Sequence, residues 1–295
     1  MKLKGMVYTI VSAVLFGITP VFASFTYNMG STPETVTFYR NLLAIPILLI
    51  VILMKRMTLK IPLKAVGNIA VIGIIGCGLT TLLLYKSYQY VGIGTATTLH
   101  FLYPVFVALI CRFFYKDRLS LRKIIALVIA GAGIICFIDP SQISGFSGIL
   151  LAVSSGLTYS FYMVGSEKRG LNDIDPYKVS FYIAVFVMIA MIIYNVPTRK
   201  IVFILPPKAF LYLFVISICT SFLAVALLQS GIKHLGASTA AIFCLFEPVT
   251  SLISGRLFLG EHISVQKAAG CILIIAAVSI LVIKKSNSEI SEAKS

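Results

Sequence analysis

The stretch GIGTATTLHFLYPVFVALICRFFYKDRLSLRK, residues 92–123, aligns without a gap onto GASTAAIFCLFEPVTSLISGRLFLGEHISVQK, residues 236–267. Nine of the 32 aligned positions are identical, and they include glycine, proline and arginine. The identical pairs are Gly92/Gly236, Thr95/Thr239, Ala96/Ala240, Pro104/Pro248, Val105/Val249, Arg112/Arg256, Phe114/Phe258, Ser120/Ser264 and Lys123/Lys267. Matches of this kind at one constant offset predict two copies of one structural unit.

Two shorter blocks extend the repeat toward the start of each copy. PETVTFY at residues 33–39 matches PYKVSFY at 176–182, and AVLFGIT at 13–19 matches AVSSGLT at 152–158. We therefore expect a first repeat over residues 1–139 and a second over residues 140–285. A flexible cytoplasmic tail is expected over residues 286–295.

Composition places the repeats in lipid, because 59% of the residues are hydrophobic, 12% are charged and the mean hydropathy is +0.99. A membrane-spanning helix needs about 20 apolar residues. Ten such runs occur, near residues 6–24, 34–54, 66–88, 95–115, 121–138, 146–165, 177–195, 209–231, 238–259 and 265–283. We predict an all-α integral membrane protein of ten transmembrane helices. Five crossings per repeat reverse the second copy, so the repeats are expected to be inverted.

The net charge of +15 is distributed unevenly between the loops. With the N-terminus inside, 18 of the 25 Lys and Arg residues lie in cytoplasmic segments and five lie in outer loops. This asymmetry follows the positive-inside rule and does not require nucleic acid as a partner. It predicts a multi-pass protein of the cytoplasmic (inner) membrane, with both termini in the cytoplasm and anionic lipid around the basic loops.

The doubled motifs resemble the EamA type of the drug/metabolite transporter superfamily. The residues that carry the resemblance are EPV at 247–249, GRLFLGE at 255–261, Ser264 and Gly270, echoed by YPV at 103–105, Arg112 and DRLS at 117–120. The resemblance covers about residues 6–285. It implies ten helices, cytoplasmic termini, and export or exchange of metabolites, amino acids or drugs. The first half departs from the family pattern, because Lys116-Asp117 stands where the family more often has Gly-Glu.

Charges inside the apolar runs are the first candidates for a solute site, because a charge at a helix centre costs roughly 2.5–3.5 kcal/mol on insertion scales. Glu247 is expected near the midplane, where it would bind a cationic group or carry a proton, or form an ion pair with Arg40. Arg40 would bind a carboxylate or serve as a structural partner. Lys86 is expected to extend its ammonium group to the outer surface. His100 would support proton coupling or make a packing hydrogen bond.

Comparison of the two repeats separates shared residues from unique ones. Pro104 and Pro248 are shared, so we predict that they act as hinges in the scaffold. Glu247 aligns with Tyr103 and Arg40 aligns with Ile183, so both charges break the symmetry. An asymmetric solute requires asymmetric contacts, and we therefore predict that Glu247 and Arg40 bind it.

Tyrosines supply a further candidate lining. Ser155, Tyr159, Tyr162 and Ser166 recur at helical spacing and would form one polar-tipped face. Tyr39 and Tyr103 are predicted to join them in a cation-π box, with plain packing or an interfacial belt as the alternative.

Motifs of metal-dependent, nucleophilic or nucleotide-driven catalysis are missing from the sequence, which contains no HExxH, no GxSxG and no phosphate-binding loop. We expect no cofactor, no metal, no catalytic residue and no enzymatic activity. The six cysteines are expected to be inert packing residues. The sequence favours a secondary transporter of an amino acid, related zwitterion or organic cation, working by alternating access in efflux or exchange. A channel or a non-transporting receptor is the alternative. The sequence is compatible with a homodimer.

Overall fold

Helices account for nearly all of the chain in the computed structural model, which describes residues 2–138, 145–260 and 262–292, with side chains described to residue 281. The helices of the first half are α1 (Lys2–Tyr27), α2 (Pro33–Leu42), α3 (Ala44–Met54), α4 (Leu63–Val71), α5 (Thr80–His100), α6 (Tyr103–Phe113) and α7 (Leu121–Ile135). Those of the second half are α8 (Phe146–Lys168), α9 (Pro176–Thr198), α10 (Pro207–Ile216), α11 (Val225–Leu235), α12 (Ala237–Phe243), α13 (Phe246–Leu259) and α14 (Val265–Glu292). Two π-helical segments, Ile72–Leu79 and Ser217–Ala224, continue α4 into α5 and α10 into α11.

Helix starts follow from local sequence signals in both halves. Thr32 caps α2 by accepting a hydrogen bond from the Thr35 amide at 3.1 Å, and Pro33 stands in the first turn. Asp175 caps α9 in the same way at 2.9 Å from the Tyr177 amide, followed by Pro176. The matching blocks PETVTFY and PYKVSFY therefore both begin with the proline that follows the capping residue.

Within the described residues, seven helical stretches are long and apolar enough to cross a membrane. They are Lys2–Tyr27, Pro33–Met54, Leu63–His100, Phe146–Lys168, Pro176–Thr198, Pro207–Leu235 and Ala237–Leu259. Two shorter apolar helices, Tyr103–Phe113 and Val265–Leu281, accompany them. The predicted third and fourth spans meet in the single stretch Leu63–His100, because helical residues flank Gly92 on both sides.

Backbone geometry repeats between the halves at the positions where the sequence repeats. Gly92 has φ 69° and ψ 162°, and Gly236 has φ 78° and ψ 155°, a conformation that favours glycine. The π-helical segments start at residues 72 and 217, an offset close to that of the sequence repeat. Lys116 takes the positive φ of its counterpart Gly260, 56° against 68°, so the two repeats share this turn although the residues differ.

The two halves are packed into each other through their first helices. Helix α1 of the first half packs on α13 of the second, and α8 of the second half packs on α5 and α6 of the first. A Cβ atom at Gly17 would lie 2.6 Å from the Glu247 carbonyl oxygen, and one at Gly156 would lie 2.8 Å from the His100 carbonyl oxygen. Glycine at these equivalent positions lets each first helix approach the other half closely.

The predicted domain limits remain predictions. The boundary at residues 139 and 140 lies outside the described residues, as do residues 293–295 of the predicted tail. Helix α14 reaches Glu292 and so extends into that tail.

Candidate functional site

A cavity lies between helices of both halves. Aromatic rings and hydroxyl groups form its walls. The side chains of Arg40, His100 and Glu247, from three separate helices, complete them. The lining residues used below are Arg40, Thr81, His100, Tyr159, Tyr162 and Glu247. An apolar pocket with few convergent polar groups is the usual form of a small-molecule site.

Arg40 enters the cavity wall from α2 and is 8% exposed. Its Nε donates a hydrogen bond to Ser221 Oγ at 3.0 Å, and its Nη1 donates to Thr81 Oγ1 at 3.3 Å. Ser217 Oγ donates to the Arg40 carbonyl oxygen at 2.8 Å, which ties the helix to the second half. These neutral partners orient the guanidinium group without neutralising its charge.

Glu247 stands in the first turn of α13 and is 6% exposed. Its Oε1 makes no hydrogen bond with any residue in the described part of the chain. Tyr103 lies beside it and interacts with it electrostatically. Glu247 and Arg40 form no ion pair with each other in the described structure, although both line the cavity. The helix N-terminus behind Glu247 favours a negative charge there.

His100 ends α5 and is 5% exposed. Its Nδ1 lies 2.9 Å from Ser155 Oγ on α8. The imidazole ring is 5.3 Å from the rings of both Tyr103 and Tyr159, measured between centroids. His100 therefore makes the predicted packing hydrogen bond and also lines the cavity.

The polar face predicted on α8 is largely paired inside the protein. Gln229 of α11 donates hydrogen bonds at 3.0 Å to both Tyr162 Oη and Ser166 Oγ. The Tyr159 and Tyr103 hydroxyl groups, by contrast, find no hydrogen-bond partner among the described residues. Their rings meet edge to face at 4.8 Å, and both hydroxyl oxygens are buried behind this aromatic wall.

The structure brings most of the sequence-predicted site residues together. Arg40, His100, Tyr159, Tyr162 and Glu247 line the cavity, and the buried Tyr103 packs directly behind it.

Tyr39 and the two prolines lie outside the cavity lining. Tyr39 points about 100° around α2 from Arg40, as successive helical residues do, and packs on Phe38 and Phe210. Pro104 and Pro248 lie in the first turns of α6 and α13, after the short breaks that interrupt each half.

A charged pair that the sequence analysis missed ties α2 to α5. Glu34 Oε1 lies 3.3 Å from Lys86 Nζ, and Lys86 donates a hydrogen bond to Tyr194 Oη at 3.0 Å. Lys86 was expected to extend its ammonium group to the outer surface. In the structure its side chain is 28% exposed, and Glu34 and Tyr194 bind the ammonium group. Glu34 aligns with Tyr177 in the second repeat. The same symmetry comparison that selected Arg40 would therefore have selected Glu34.

The described side chains form no candidate metal site, because His, Cys, Asp and Glu residues nowhere among them form a group of three that would hold an ion. The lining residues offer hydrogen bonds, ion pairs and aromatic contacts to a solute.

Comparison with known proteins identifies the class of protein that carries this cavity. The model of the EamA-like transporter family matches residues 3–138 and again residues 146–283. The chain belongs to the EamA-like transporter family. Both repeats predicted from the sequence are thus copies of the family's unit, and the chain is a multi-pass, non-enzymatic membrane transporter.

Several relatives of low sequence identity are also named as transporters. YcbK of Bacillus subtilis (strain 168), an uncharacterized transporter, is 24% identical over 283 residues, covering 90% of this chain and 89% of that one. An uncharacterized transporter of Archaeoglobus fulgidus is 24% identical over 245 residues, covering 80% and 83%. Another, from Clostridium kluyveri, is 22% identical over 303 residues, covering 99% and 96%.

One solved crystal structure shares the fold over the whole transporter. It superposes with a TM-score of 0.82 at 15% sequence identity, covering 98% of this chain and 100% of the other. At this identity the likeness concerns the fold alone.

Proposed function

We propose that this transporter is a secondary carrier of an amino acid or a related zwitterion or organic cation across the cytoplasmic membrane. The observation that carries the proposal is the separation of Arg40 and Glu247. Both are buried in one cavity, and they form no ion pair with each other in the described structure. A buried carboxylate and a buried guanidinium without charged partners are costly, and a zwitterion would compensate both.

The solute's carboxylate would bind at Arg40. Ser221 and Thr81 accept from the Nε and Nη1 groups, which leaves further N–H donors of the guanidinium for an anion. The solute's ammonium group would bind at Glu247, beside the Tyr159 ring that also lines the cavity. When the solute leaves, a proton on Glu247 would balance its charge, which is our basis for proposing proton coupling.

Ten crossings in two inverted repeats are the topology we propose. Dividing the stretch Leu63–His100 at Gly92 yields two crossings, the second of which continues through α6. The counterpart Gly236 divides α11 from α12 in the same conformation. With α7 and α14 as the last crossing of each repeat, the described helices group into ten, and the Lys and Arg distribution favours cytoplasmic termini.

Alternating access would use the breaks next to the prolines. Pro104 and Pro248 follow the interruptions between α5 and α6 and between α12 and α13, and these interruptions adjoin the cavity at His100 and Glu247. Broken helices beside a midplane site are a recurring feature of carriers built from repeats. The direction of transport would be efflux or exchange.

Counterflow in proteoliposomes tests the proposal. Vesicles containing the purified full-length protein are loaded with each of a panel of unlabelled amino acids and amines, and entry of the labelled compound is followed. We expect saturable exchange with at least one zwitterion. Glu247→Gln and Arg40→Gln should each reduce exchange at least tenfold. The matched surface variants Asp173→Asn and Arg122→Gln, which alter exposed charges, should retain it.

The same measurement distinguishes a carrier from a channel or a receptor. A channel would give non-saturable flux without counterflow, and a receptor would bind without flux. If Glu247→Gln leaves the exchange rate unchanged, Glu247 does not belong to the solute site. A thermal-shift screen over amino acids, amines and organic anions would select compounds for the assay, and light scattering in detergent would test for a homodimer.

A further inference from the structure

The hydrogen bonds of Ser155 determine which nitrogen of His100 carries the proton. Ser155 Oγ lies 2.6 Å from the Ala152 carbonyl oxygen and 2.9 Å from His100 Nδ1. A carbonyl oxygen only accepts, so the single hydroxyl proton of Ser155 is donated to Ala152. Ser155 Oγ must then accept a hydrogen bond from His100, and Nδ1 is the nitrogen that bears the hydrogen.

The other nitrogen, Nε2, is consequently an acceptor in the neutral ring. In the described part of the chain Nε2 makes no hydrogen bond, and it is not among the polar atoms sealed from the protein's accessible surface. His100 lines the cavity, so this acceptor is available to a solute there. The ring packs between Phe101, Tyr103 and Tyr159, which restricts its rotation.

The carboxylate of Glu247, which also lines the cavity, supplies the second acceptor group near the same aromatic wall. Glu247 Oε1 is buried without a hydrogen-bond partner among the described residues. Tyr103 and Tyr159 each contact the His100 ring at 5.3 Å and each interact electrostatically with Glu247. The two acceptors therefore flank one aromatic wall of one cavity.

We infer that His100 is a specificity-determining residue, which together with Glu247 selects ammonium groups that carry N–H donors and rejects quaternary ammonium groups. This inference rests on the proposed function of the cavity. Aromatic walls and a carboxylate alone accept a quaternary ammonium group. Such a group offers no N–H, so it would leave His100 Nε2 and the Glu247 carboxylate without a hydrogen-bond partner from the solute, which weakens binding by roughly 10- to 100-fold.

Ser155 acts as a positioning residue in this scheme. Without its hydroxyl group, nothing in the described surroundings of Nδ1 keeps the hydrogen there, and the ring is free to present Nε2–H to the cavity. An N–H donor facing an ammonium group is repulsive. Removal of Ser155 should therefore weaken binding of N–H-bearing ammonium groups more than binding of quaternary ones.

Matched pairs of ligands test the inference on the purified full-length protein. The probes are alanine, phenylalanine and lysine, each with its Nα-trimethyl derivative, which keeps the carboxylate, the side chain and the positive charge. Binding is measured by calorimetry. We expect at least one amino acid to bind at least tenfold more tightly than its trimethyl partner. The ratio should fall toward one in Ser155→Ala and His100→Phe, and it should be retained in Ser155→Thr and in the neighbouring control Ser154→Ala.

The outcomes separate this inference from the proposed function. Equal binding within a pair by the wild-type protein would overturn the inference and leave the zwitterion site standing. Failure of every amino acid and every trimethyl derivative to bind would overturn both. An unchanged ratio in Ser155→Ala would overturn the positioning role of Ser155. Should Ser155→Ala fail to fold, the wild-type ratio and the His100→Phe ratio decide the question.

Discussion

Gly92 and Gly236 occupy equivalent places in the two repeats and share one backbone conformation, with φ 69° and 78° and ψ 162° and 155°. Each ends one helix and starts the next within two residues, so α5 turns at Gly92 and α11 passes to α12 at Gly236. A Cβ atom is strained in this region of φ and ψ. The turn is therefore encoded by glycine in both copies.

Replacing either glycine by alanine should destabilise the protein by about 1–3 kcal/mol. Gly94→Ala is the matched control, because Gly94 lies two residues away, has no positive φ and has open space at its Cβ position. Equilibrium unfolding in detergent micelles measures the difference. Equal stability of Gly92→Ala and Gly94→Ala would show that the turn tolerates a side chain.

The ion pair between Glu34 and Lys86 should stabilise the contact of α2 with α5. Glu34 is 3% exposed, while the Lys86 side chain is 28% exposed and also bonds Tyr194 of α9. Either Glu34→Gln or Lys86→Met should cost about 1–2 kcal/mol of unfolding free energy, because the remaining group loses its partner. A double-mutant cycle in micelles should yield a coupling energy of at least about 0.5 kcal/mol. Additive effects would mean that the pair contributes nothing.

Gly156 should be needed for the position of His100. A Cβ at residue 156 would lie 2.8 Å from the His100 carbonyl oxygen, so α8 must move away from α5 to accept one. We expect Gly156→Ala to cost about 1–3 kcal/mol in stability and to weaken solute binding. Gly131→Ala, whose Cβ would meet nothing within 4 Å, is the control. Unaltered binding in Gly156→Ala would show that His100 tolerates displacement.

Glu167 should stabilise the start of α12. Its Oε2 accepts a hydrogen bond from the Ala237 amide at 2.6 Å, and its Oε1 lies 3.2 Å from Lys168 Nζ. Glu167→Ala should lower the unfolding free energy by about 0.5–2 kcal/mol, the usual cost of losing an N-terminal cap. Glu167→Gln keeps an acceptor and should lose less. Hydrogen exchange at the Ala237 amide measures the effect locally, and unchanged exchange in Glu167→Ala would contradict it.

Much of the fold was predictable, because spans, caps and turns depend on residues close in sequence. The apolar runs correspond to helices, and the two blocks of identical residues correspond to capped starts and glycine turns. The merging of two predicted spans in Leu63–His100 was not predictable, since helical residues flank the glycine turn on both sides. No sequence pattern predicted the π-helical segments at Ile72–Leu79 and Ser217–Ala224.

The sequence predicted which residues belong to the candidate site, but not how they are arranged. Arg40 and Glu247 were selected because charge in lipid is expensive and because both break the repeat symmetry, and both line the cavity. The sequence analysis did not select Glu34, the first residue of a predicted span, although it pairs with Lys86. It included Tyr39 in the candidate site, whereas the Tyr39 ring packs on Phe210. No sequence pattern selected Gln229, which donates hydrogen bonds to Tyr162 and Ser166.

The sequence by itself determined a membrane chain of two repeats and named its charged candidates. That the basic loops share one side of the membrane stays a prediction. Tertiary structure alone decided that Lys86 pairs with Glu34. It also decided that, among the described residues, Arg40 and Glu247 form no ion pair and His100 is hydrogen-bonded through Nδ1 to Ser155. Helix positions along the chain follow from local hydropathy and the thickness of the bilayer. Which side chains meet depends on how each helix is rotated and how closely it approaches its neighbours, and those are set by packing between distant segments.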